Sequence, residues 1–201
     1  QALGDAGLRW ADVNSAYTGT AMLGMAPGRP LYKHLGVTGI PMLQVENASA
    51  SGSTAFRLAC HDVAAGTSDI SMVLGVDKMP TALGASNDTG VPRLDEVHVP
   101  PPVHFALLAS EYLERHGATP EQLAAVAVKN YGNAALNPNA QRPKARTLEE
   151  VLAGPPIAGP LTRLQCCPIG EGAAAVVVVS DDAIDELGLD RSRCVRVLAS
   201  V

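Results

Sequence analysis

The stretch that decides the fold is Val45-Glu-Asn-Ala-Ser-Ala-Ser-Gly-Ser-Thr-Ala55, a run of small residues between two apolar segments. Residues 41–46 have the composition of a short buried strand, and a helix is predicted from about residue 53 to residue 65, where Gly66 supplies a stop signal. Residues 70–76 are a continuous apolar run, which is typical of a strand covered on both faces. A strand, a tight turn, a helix and a strand make a βαβ unit, so the sheet is predicted to be at least partly parallel.

The rest of the chain continues this alternation. Further strands are predicted at residues 13–20 and 172–180, the second as a buried strand, and further helices at residues 103–116, 119–135, 148–153 and 181–187. Thr119-Pro-Glu-Gln122 has the order of a capped helix start. We therefore predict an α/β fold: a layered βαβ core with a mixed sheet covered by helices, and a mostly helical insertion. The predicted domains are residues 1–79 (first part of the core), 80–160 (insertion) and 161–201 (return to the core).

Composition and charge restrict the function classes. Of the 201 residues, 47% are hydrophobic and 17% are charged, which excludes a charge-rich disordered tail, and the 3% of aromatic residues suits tight packing of helices on a sheet. The net charge of −5 argues against a nucleic-acid partner. The longest apolar run, residues 173–179, is too short to span a membrane. The four cysteines lack the spacing of a disulfide framework or of a zinc site, so a reducing, cytoplasmic location without a bound metal is predicted.

The small-residue turn is the leading candidate for a functional site. A residue at the corner between a strand and a helix lies at the helix N-terminus, where unpaired N–H groups and the helix dipole favour negative charge. A nucleophile or the oxygen of a bound thioester is stabilised there, and small neighbours let a substrate approach. The alternative is that the serines simply cap the helix. The pattern alone leaves both interpretations open.

Five segments carry a resemblance to a known family. They are residues 45–54, Gly66-Thr-Ser-Asp-Ile-Ser-Met-Val-Leu-Gly-Val-Asp-Lys-Met79, Pro100-Pro-Pro-Val-His-Phe-Ala-Leu-Leu-Ala109, Val126-Ala-Val-Lys-Asn-Tyr-Gly-Asn-Ala-Ala-Leu-Asn-Pro138 and Leu164-Gln-Cys-Cys-Pro-Ile-Gly-Glu-Gly-Ala-Ala-Ala-Val-Val177. In this order they resemble the N-terminal half of the thiolase superfamily, in its sterol-carrier-protein and lipid-transfer-protein branch. The resemblance implies a loop domain that helps to hold coenzyme A, which is part of the substrate rather than a permanently bound cofactor. It also implies a homodimer.

One position departs from the family pattern, because Ser49 stands where thiolases carry a nucleophilic cysteine. A serine hydroxyl is too weak an acid to be held as an anion by a helix terminus, and it needs a general base beside it. The favoured hypothesis is a thiolase-like aldolase that cleaves β-hydroxyacyl-CoA thioesters of steroid or lipid side chains by retro-aldol chemistry, with a small partner domain as in relatives of this kind. The alternatives are a β-ketothiolase whose cysteine is replaced by Ser49, and a non-catalytic subunit that binds acyl-CoA.

The resemblance also assigns the other candidate residues. His104 is a candidate base, because the helix that it opens packs near the active site in relatives. The candidates for substrate or coenzyme A binding lie either in the turn or where relatives hold coenzyme A; they are Asn47, Ser51, Gly52, Lys129, Arg142, Lys144 and Cys167. The family's catalytic histidine belongs to a Gly-His-Pro motif of the C-terminal half, which does not occur here. Residues 1–7 resemble the end of a helix and residues 193–201 the start of a strand, so the chain is expected to be part of a longer protein.

Overall fold

The computed structural model describes residues 1–78 and 100–200. The strands are β1 (Ser15–Gly19), β2 (Met42–Val45), β3 (Ile70–Lys78), β4 (Pro156–Ala158), β5 (Leu161–Thr162) and β6 (Glu171–Val179). The α-helices are α1 (Ala2–Ala6), α2 (Gly28–Tyr32), α3 (Ser51–Ala64), α4 (Pro101–His116), α5 (Pro120–Ala134), α6 (Leu148–Leu152) and α7 (Asp181–Glu186). The described residues form two compact units, residues 1–78 with 170–200 and residues 100–169. The predicted boundary at residues 79 and 80 lies outside the described residues.

The first unit is built on a four-stranded mixed sheet in the order β2-β1-β3-β6. Strand β1 is parallel to β2 and to β3, whereas β6 is antiparallel to β3. Helix α3 connects β2 with β3, which confirms the predicted βαβ unit and the partly parallel sheet. All of β1 is buried, because Tyr17 faces a cluster with helix α3 and Ala16 faces a second cluster around Trp10 and Tyr32.

The two edge strands are more exposed than their sequences predict. Met42 and Leu43 of β2 are 36% and 46% exposed, so the expectation of a buried strand is wrong there. The first four residues of β6 are also exposed, and Val176 is 45% exposed. Both strands pair on one side only within the described residues, and an apolar sequence does not reveal whether its strand is central or at an edge.

Helix α3 approaches the sheet closely because it presents small residues to it. Ala55 and Ala59 are fully buried beside Tyr17. The hydroxyl of Tyr17 donates a hydrogen bond to Asp62 Oδ2 at 2.6 Å, which ties the last turns of α3 to β1. The chain then turns at Gly66, whose φ of +69° lies in the left-handed region and agrees with the predicted stop signal.

The second unit contains α4, α5, α6 and a β4–β5 hairpin, in agreement with a mostly helical insertion. Thr119 Oγ1 accepts a hydrogen bond from the N–H of Gln122, whose side chain accepts from the N–H of Thr119, as the sequence predicts. Thr147 and Glu150 begin α6 in the same way. The hairpin is not foreseen from the sequence, because its strands have only three and two residues.

The C-terminal strand that the sequence suggests is not formed. Residues 194–200 have no regular secondary structure, and Val195 and Leu198 are 90% and 88% exposed. No described strand supplies hydrogen bonds to this segment. Among the described helices, none has the length and hydropathy needed to cross a bilayer.

Candidate active site

The turn between β2 and α3 lies at the carboxyl edge of three parallel strands. The register places Gly19 of β1 beside Val45 of β2 on one side and beside Gly75 of β3 on the other. Residues 46–50 leave the sheet from this edge and enter helix α3. Ligands of open α/β sheets bind beyond the carboxyl ends of the strands, so the turn occupies a position suited to function.

A frame of hydrogen bonds holds the turn, and the Ser51 hydroxyl is at its centre. Ser51 Oγ donates to the carbonyl oxygen of Ala48 at 2.7 Å and accepts from the N–H of Asn47 at 2.8 Å. Glu46 Oε1 accepts from the N–H of Ala48 at 2.7 Å, and Asn47 Nδ2 donates to Thr54 Oγ1 at 2.9 Å. Ser51 is only 4% exposed, so its hydroxyl is engaged inside the turn.

The backbone of this turn is strained at Ala48. Its φ of +44° lies in the left-handed region, which residues with a side chain rarely adopt. Such a conformation costs of order 1–3 kcal/mol and persists only where the surroundings fix it. The hydrogen bonds from Glu46 and Ser51 to the peptide groups of Ala48 provide this restraint. Strain immediately before Ser49 is typical of a functional turn.

Helix α3 begins without a side-chain cap. Its N-cap is Ala50, and Ser53 donates its hydroxyl hydrogen to the carbonyl oxygen of Ala50 instead of accepting from an N–H group. Among the described residues, the N–H groups of Ser49, Gly52 and Ser53 have no hydrogen-bond acceptor. The serines therefore do not cap the helix, and N–H groups near its positive end have no partner within residues 1–78 and 100–200.

Ser49 itself is exposed at this positive end. Its hydroxyl forms no hydrogen bond with any described residue, so no described histidine or carboxylate is in position to remove its proton. A serine nucleophile requires such a base within hydrogen-bond reach. The geometry offers donors for a negatively charged oxygen more clearly than it offers an activated hydroxyl.

Gly19, the last residue of β1, lies close to the backbone of Ser51 and Gly52 at the start of α3. A Cβ atom on Gly19 would lie 2.5 Å from the carbonyl oxygen of Ser51 and 2.7 Å from the nitrogen of Gly52, so only glycine permits this contact. The segment after Gly19 is held by Asp77, which accepts hydrogen bonds from Thr20 Oγ1 at 3.1 Å and from the N–H groups of Ala21 and Met22 at 2.8 Å and 2.9 Å. No sequence pattern indicates a role for Gly19 or Glu46, and Asp77 stands out only as a charged residue directly after the apolar run of β3.

The remaining candidates belong to the second unit. Arg142 is half-buried, and its Nη1 donates to the hydroxyl of Tyr131 at 3.4 Å, whereas Lys129 and Lys144 are exposed. Gln141 Nε2 donates to the carbonyl oxygen of Ile169 at 3.2 Å, which brings the Arg142 segment beside the segment that carries Cys167.

His104 and the adjacent cysteines complete the set of candidates in the second unit. His104 is exposed on the first turn of α4 and meets the edge of Phe105. Burial raises the pKa of the Cys166 thiol, and Cys167 adds to this shift, so Cys166 is protonated at neutral pH. Within the described residues, no three His, Cys, Asp or Glu side chains lie close enough together to hold a metal ion.

Comparisons with known proteins agree with this architecture. The family model for the thiolase N-terminal domain matches residues 1–147. Benzoylsuccinyl-CoA thiolase subunit BbsB of Thauera aromatica is 37% identical, over 94% of this chain and 50% of that protein. Sterol carrier protein 2 of Gallus gallus is 34% identical, over 100% of this chain and 39% of that protein.

A solved structure supports the fold in the same way. The Ltp2-ChsH2(DUF35) aldolase has a TM-score of 0.72 at 24% identity, over 94% of this chain and 50% of that chain. The predicted relationship and the α/β fold class are confirmed by these matches. The chain spans about half or less of the length of the proteins it matches.

Proposed function

The chain belongs to the thiolase family, and from this premise we propose that it acts in making or breaking a carbon–carbon bond next to an acyl-CoA thioester. The reaction that we propose is retro-aldol cleavage of a β-hydroxyacyl-CoA with a steroid or lipid side chain. One observation carries this proposal: Ser49 occupies the nucleophile position beside N–H groups at the start of α3 that have no acceptor among the described residues, and no described residue activates its hydroxyl. Such a turn suits an oxyanion better than an acyl-enzyme.

Retro-aldol cleavage uses these donors without a covalent intermediate. A base removes the proton of the β-hydroxyl group, the bond between Cα and Cβ breaks, and the β-carbon leaves as a ketone. The electron pair of the broken bond forms the enolate of the shortened acyl-CoA, and protonation at Cα completes the reaction. The N–H groups of Ser49, Gly52 and Ser53 would donate to the thioester oxygen as it becomes the enolate oxygen. His104 stays a candidate for the base.

The second unit is proposed to bind the coenzyme A portion of the substrate. Arg142, Lys144 and Lys129 supply positive charge for phosphate groups, and Cys167 lies on the segment joined to Gln141. Coenzyme A would enter and leave with the acyl group, so the proposal includes no permanently bound cofactor. Asn47, Ser51 and Gly52 belong to the turn that would receive the thioester.

A homodimer is proposed to form through the β2 side of the first unit. Strand β2 has no neighbour on its outer side among the described strands, and large exposed apolar residues accumulate just before and within it: Met25, Leu35, Val37, Met42 and Leu43. An apolar surface beside an unpaired strand edge favours protein contacts. A small partner domain is also proposed, because the structurally similar aldolase is named for a pair of components, Ltp2 and ChsH2(DUF35). The four unpaired cysteines support a reducing, cytoplasmic location.

A substrate assay tests the proposal. The full-length protein, alone and together with a DUF35-type subunit of the kind named in the similar aldolase, is incubated with a β-hydroxyacyl steroid CoA, and the released ketone is measured by mass spectrometry. Ketone release with stoichiometric formation of the shortened acyl-CoA is expected. Absence of the ketone in the presence of the partner would overturn the aldolase proposal.

Similarity to a thiolase subunit supports a second candidate, a β-ketothiolase whose cysteine is replaced by Ser49. The Ser49→Cys variant distinguishes the two, because the uncapped helix start would favour a thiolate. A strong gain in thiolysis of acetoacetyl-CoA by this variant would favour the thiolase. Binding of acyl-CoA without turnover of either thioester by either form would favour a non-catalytic subunit.

A further inference from the structure

We infer that Ser51 is a positioning residue, whose buried hydroxyl sets the backbone in front of Ser49 and thereby the reactivity at position 49. This inference deepens the proposed function and rests on it, because it concerns the same turn. It gives Ser51 a role that acts through the backbone of its neighbours rather than through contact with the substrate.

The contacts of the hydroxyl support this role. Ser51 Oγ joins the N–H of Asn47 to the carbonyl oxygen of Ala48, at 2.8 Å and 2.7 Å, and so bridges the two residues that precede Ser49. With one hydrogen donated and one accepted inside the turn and only 4% exposure, this hydroxyl is poorly placed to meet a substrate. The segment between these two bonded groups contains Ala48, whose φ is strained.

Removal of the hydroxyl is expected to release the turn. The N–H of Asn47 would lose the acceptor that the structure gives it, and Ala48 would lose one of the bonds that hold φ at +44°. A change in the φ of Ala48 would reorient the peptide group that joins Ala48 to Ser49, just before α3. The side chain at position 49 and its N–H group would then lie less favourably in the field of the helix N-terminus.

The chain offers a matched control two residues further on. Ser53 is exposed, and its hydroxyl donates to the carbonyl oxygen of Ala50 at 2.9 Å, so it does not touch the peptides that precede Ser49. Ser51 and Ser53 are the same residue type in the first turn of the same helix. A difference between their alanine variants therefore reports the bridge and not the loss of a serine.

The experiment uses a thiol at position 49 as the reporter. In a full-length Ser49→Cys background, alkylation by iodoacetamide is followed from about pH 5 to pH 9, because the thiolate is the reactive form. Mass spectrometry of the peptide that contains residue 49 separates this thiol from the four native cysteines. The charged side chains Glu46 in the turn and Asp77 at the end of β3 are the same in every variant.

Adding Ser51→Ala is expected to slow alkylation near neutral pH about tenfold, which corresponds to a rise of about one unit in the pKa of the reporter thiol. Adding Ser53→Ala removes only the side-chain hydroxyl and keeps the backbone N–H of residue 53 that the proposed function uses. It should leave the alkylation rate within about twofold, well below the factor of ten that one pKa unit represents. Equal rates for the two variants, with both proteins folded by circular dichroism, would overturn the inference. Because Ser51→Ala could unfold the protein, Ser51→Thr and Ser51→Val repeat the test. Threonine and valine have nearly the same shape, but only threonine carries a hydroxyl group. The threonine variant should retain the reactivity and the valine variant should lose it.

This readout separates the inference from the proposed function, because alkylation requires no substrate. Slower alkylation in Ser51→Ala together with no turnover of any acyl-CoA by the unmodified protein would support the positioning role and reject the proposed function. Turnover of the β-hydroxyacyl-CoA together with unchanged alkylation in Ser51→Ala would support the function and reject the positioning role.

Discussion

Helices α3 and α5 both follow small hydroxyl-bearing segments, but they begin in opposite ways. At α5, Thr119 and Gln122 satisfy each other's backbone N–H groups, and α6 repeats this arrangement at Thr147. At α3, the N-cap is Ala50 and no side chain in the described part of the chain caps the helix. The hydroxyls of Ser51 and Ser53 bond instead to carbonyl oxygens of the turn. A segment richer in capping residues thus gives the helix that is not capped.

The difference shows what stabilises each helix. Helix α5 has caps at its start, whereas α3 is held by its contacts with the sheet, through Ala55, Ala59 and the bond between Tyr17 and Asp62. Packing on the sheet removes the need for a cap, and the donors at the start of α3 stay available for a ligand. Caps and packing are alternative means of stabilising a helix, and only the second leaves its N-terminus open.

The largest expected effect comes from disturbing the contact between the end of β1 and the start of α3. Gly19→Ala would place a Cβ atom 2.5 Å from the carbonyl oxygen of Ser51, a backbone atom that moves only with the helix. We expect the free energy of unfolding, measured in urea, to fall by about 3 kcal/mol. Gly132→Ala in α5 is the control, because nothing lies within 4 Å of that position, and it should gain about 0.5 kcal/mol. Equal stability of the two variants would contradict the close approach.

The pH dependence of stability tests the bond that ties α3 to β1. Burial, together with the bond to Asp62, raises the pKa of Tyr17 to about 12. The neutral phenol is favoured in the folded state, so its contribution is complete below about pH 10 and is lost as the pH rises through about 12. The loss is expected to be at most about 2.7 kcal/mol, because each pKa unit corresponds to about 1.36 kcal/mol.

Tyr17→Phe should therefore remove part of the alkaline decline in the free energy of unfolding. The matched control is Tyr112→Phe, because Tyr112 is 53% exposed on α4. This control should follow the unmodified protein at every pH. An unchanged alkaline decline in Tyr17→Phe would contradict the raised pKa of Tyr17.

The caps themselves provide the next test. Thr119→Ala should lower the free energy of unfolding by about 1 kcal/mol, because the N–H of Gln122 loses its acceptor. Ser53→Ala at the start of α3 should change it by no more than about 0.3 kcal/mol, since that hydroxyl accepts no N–H group. Urea titrations of the two variants make the comparison. A larger loss from Ser53→Ala than from Thr119→Ala would reverse our interpretation of the two helix starts.

The sequence was sufficient for the strand, turn and helix around position 49, because apolar runs and glycine stops are local signals. It also predicted the Thr119 cap, in which all partners lie within four residues. It could not predict that β2 is exposed, since burial depends on which strands become neighbours. The contact of Gly19 with α3 was missed for the same reason, because it joins backbone groups that are far apart in the sequence and meet only when the chain folds. The bonds of Ser51 join residues within four positions, but a run of serines does not reveal which hydroxyl caps a helix and which bridges the turn before it.

The smallest expected effect bears most directly on function. Ala50→Asp places a carboxylate at the uncapped start of α3, where the helix dipole should stabilise it by about 0.5 kcal/mol at low ionic strength. Ala50→Asn is the neutral control, and added salt should reduce the difference between the two variants, because exposed charges are screened. Under the proposed function, the same carboxylate would compete with the thioester oxygen for the donors at Gly52 and Ser53. Ala50→Asp should therefore be more stable in urea and yet slower in ketone release than Ala50→Asn, and an aspartate variant that is both more stable and fully active would show that the open end of α3 does not receive the substrate.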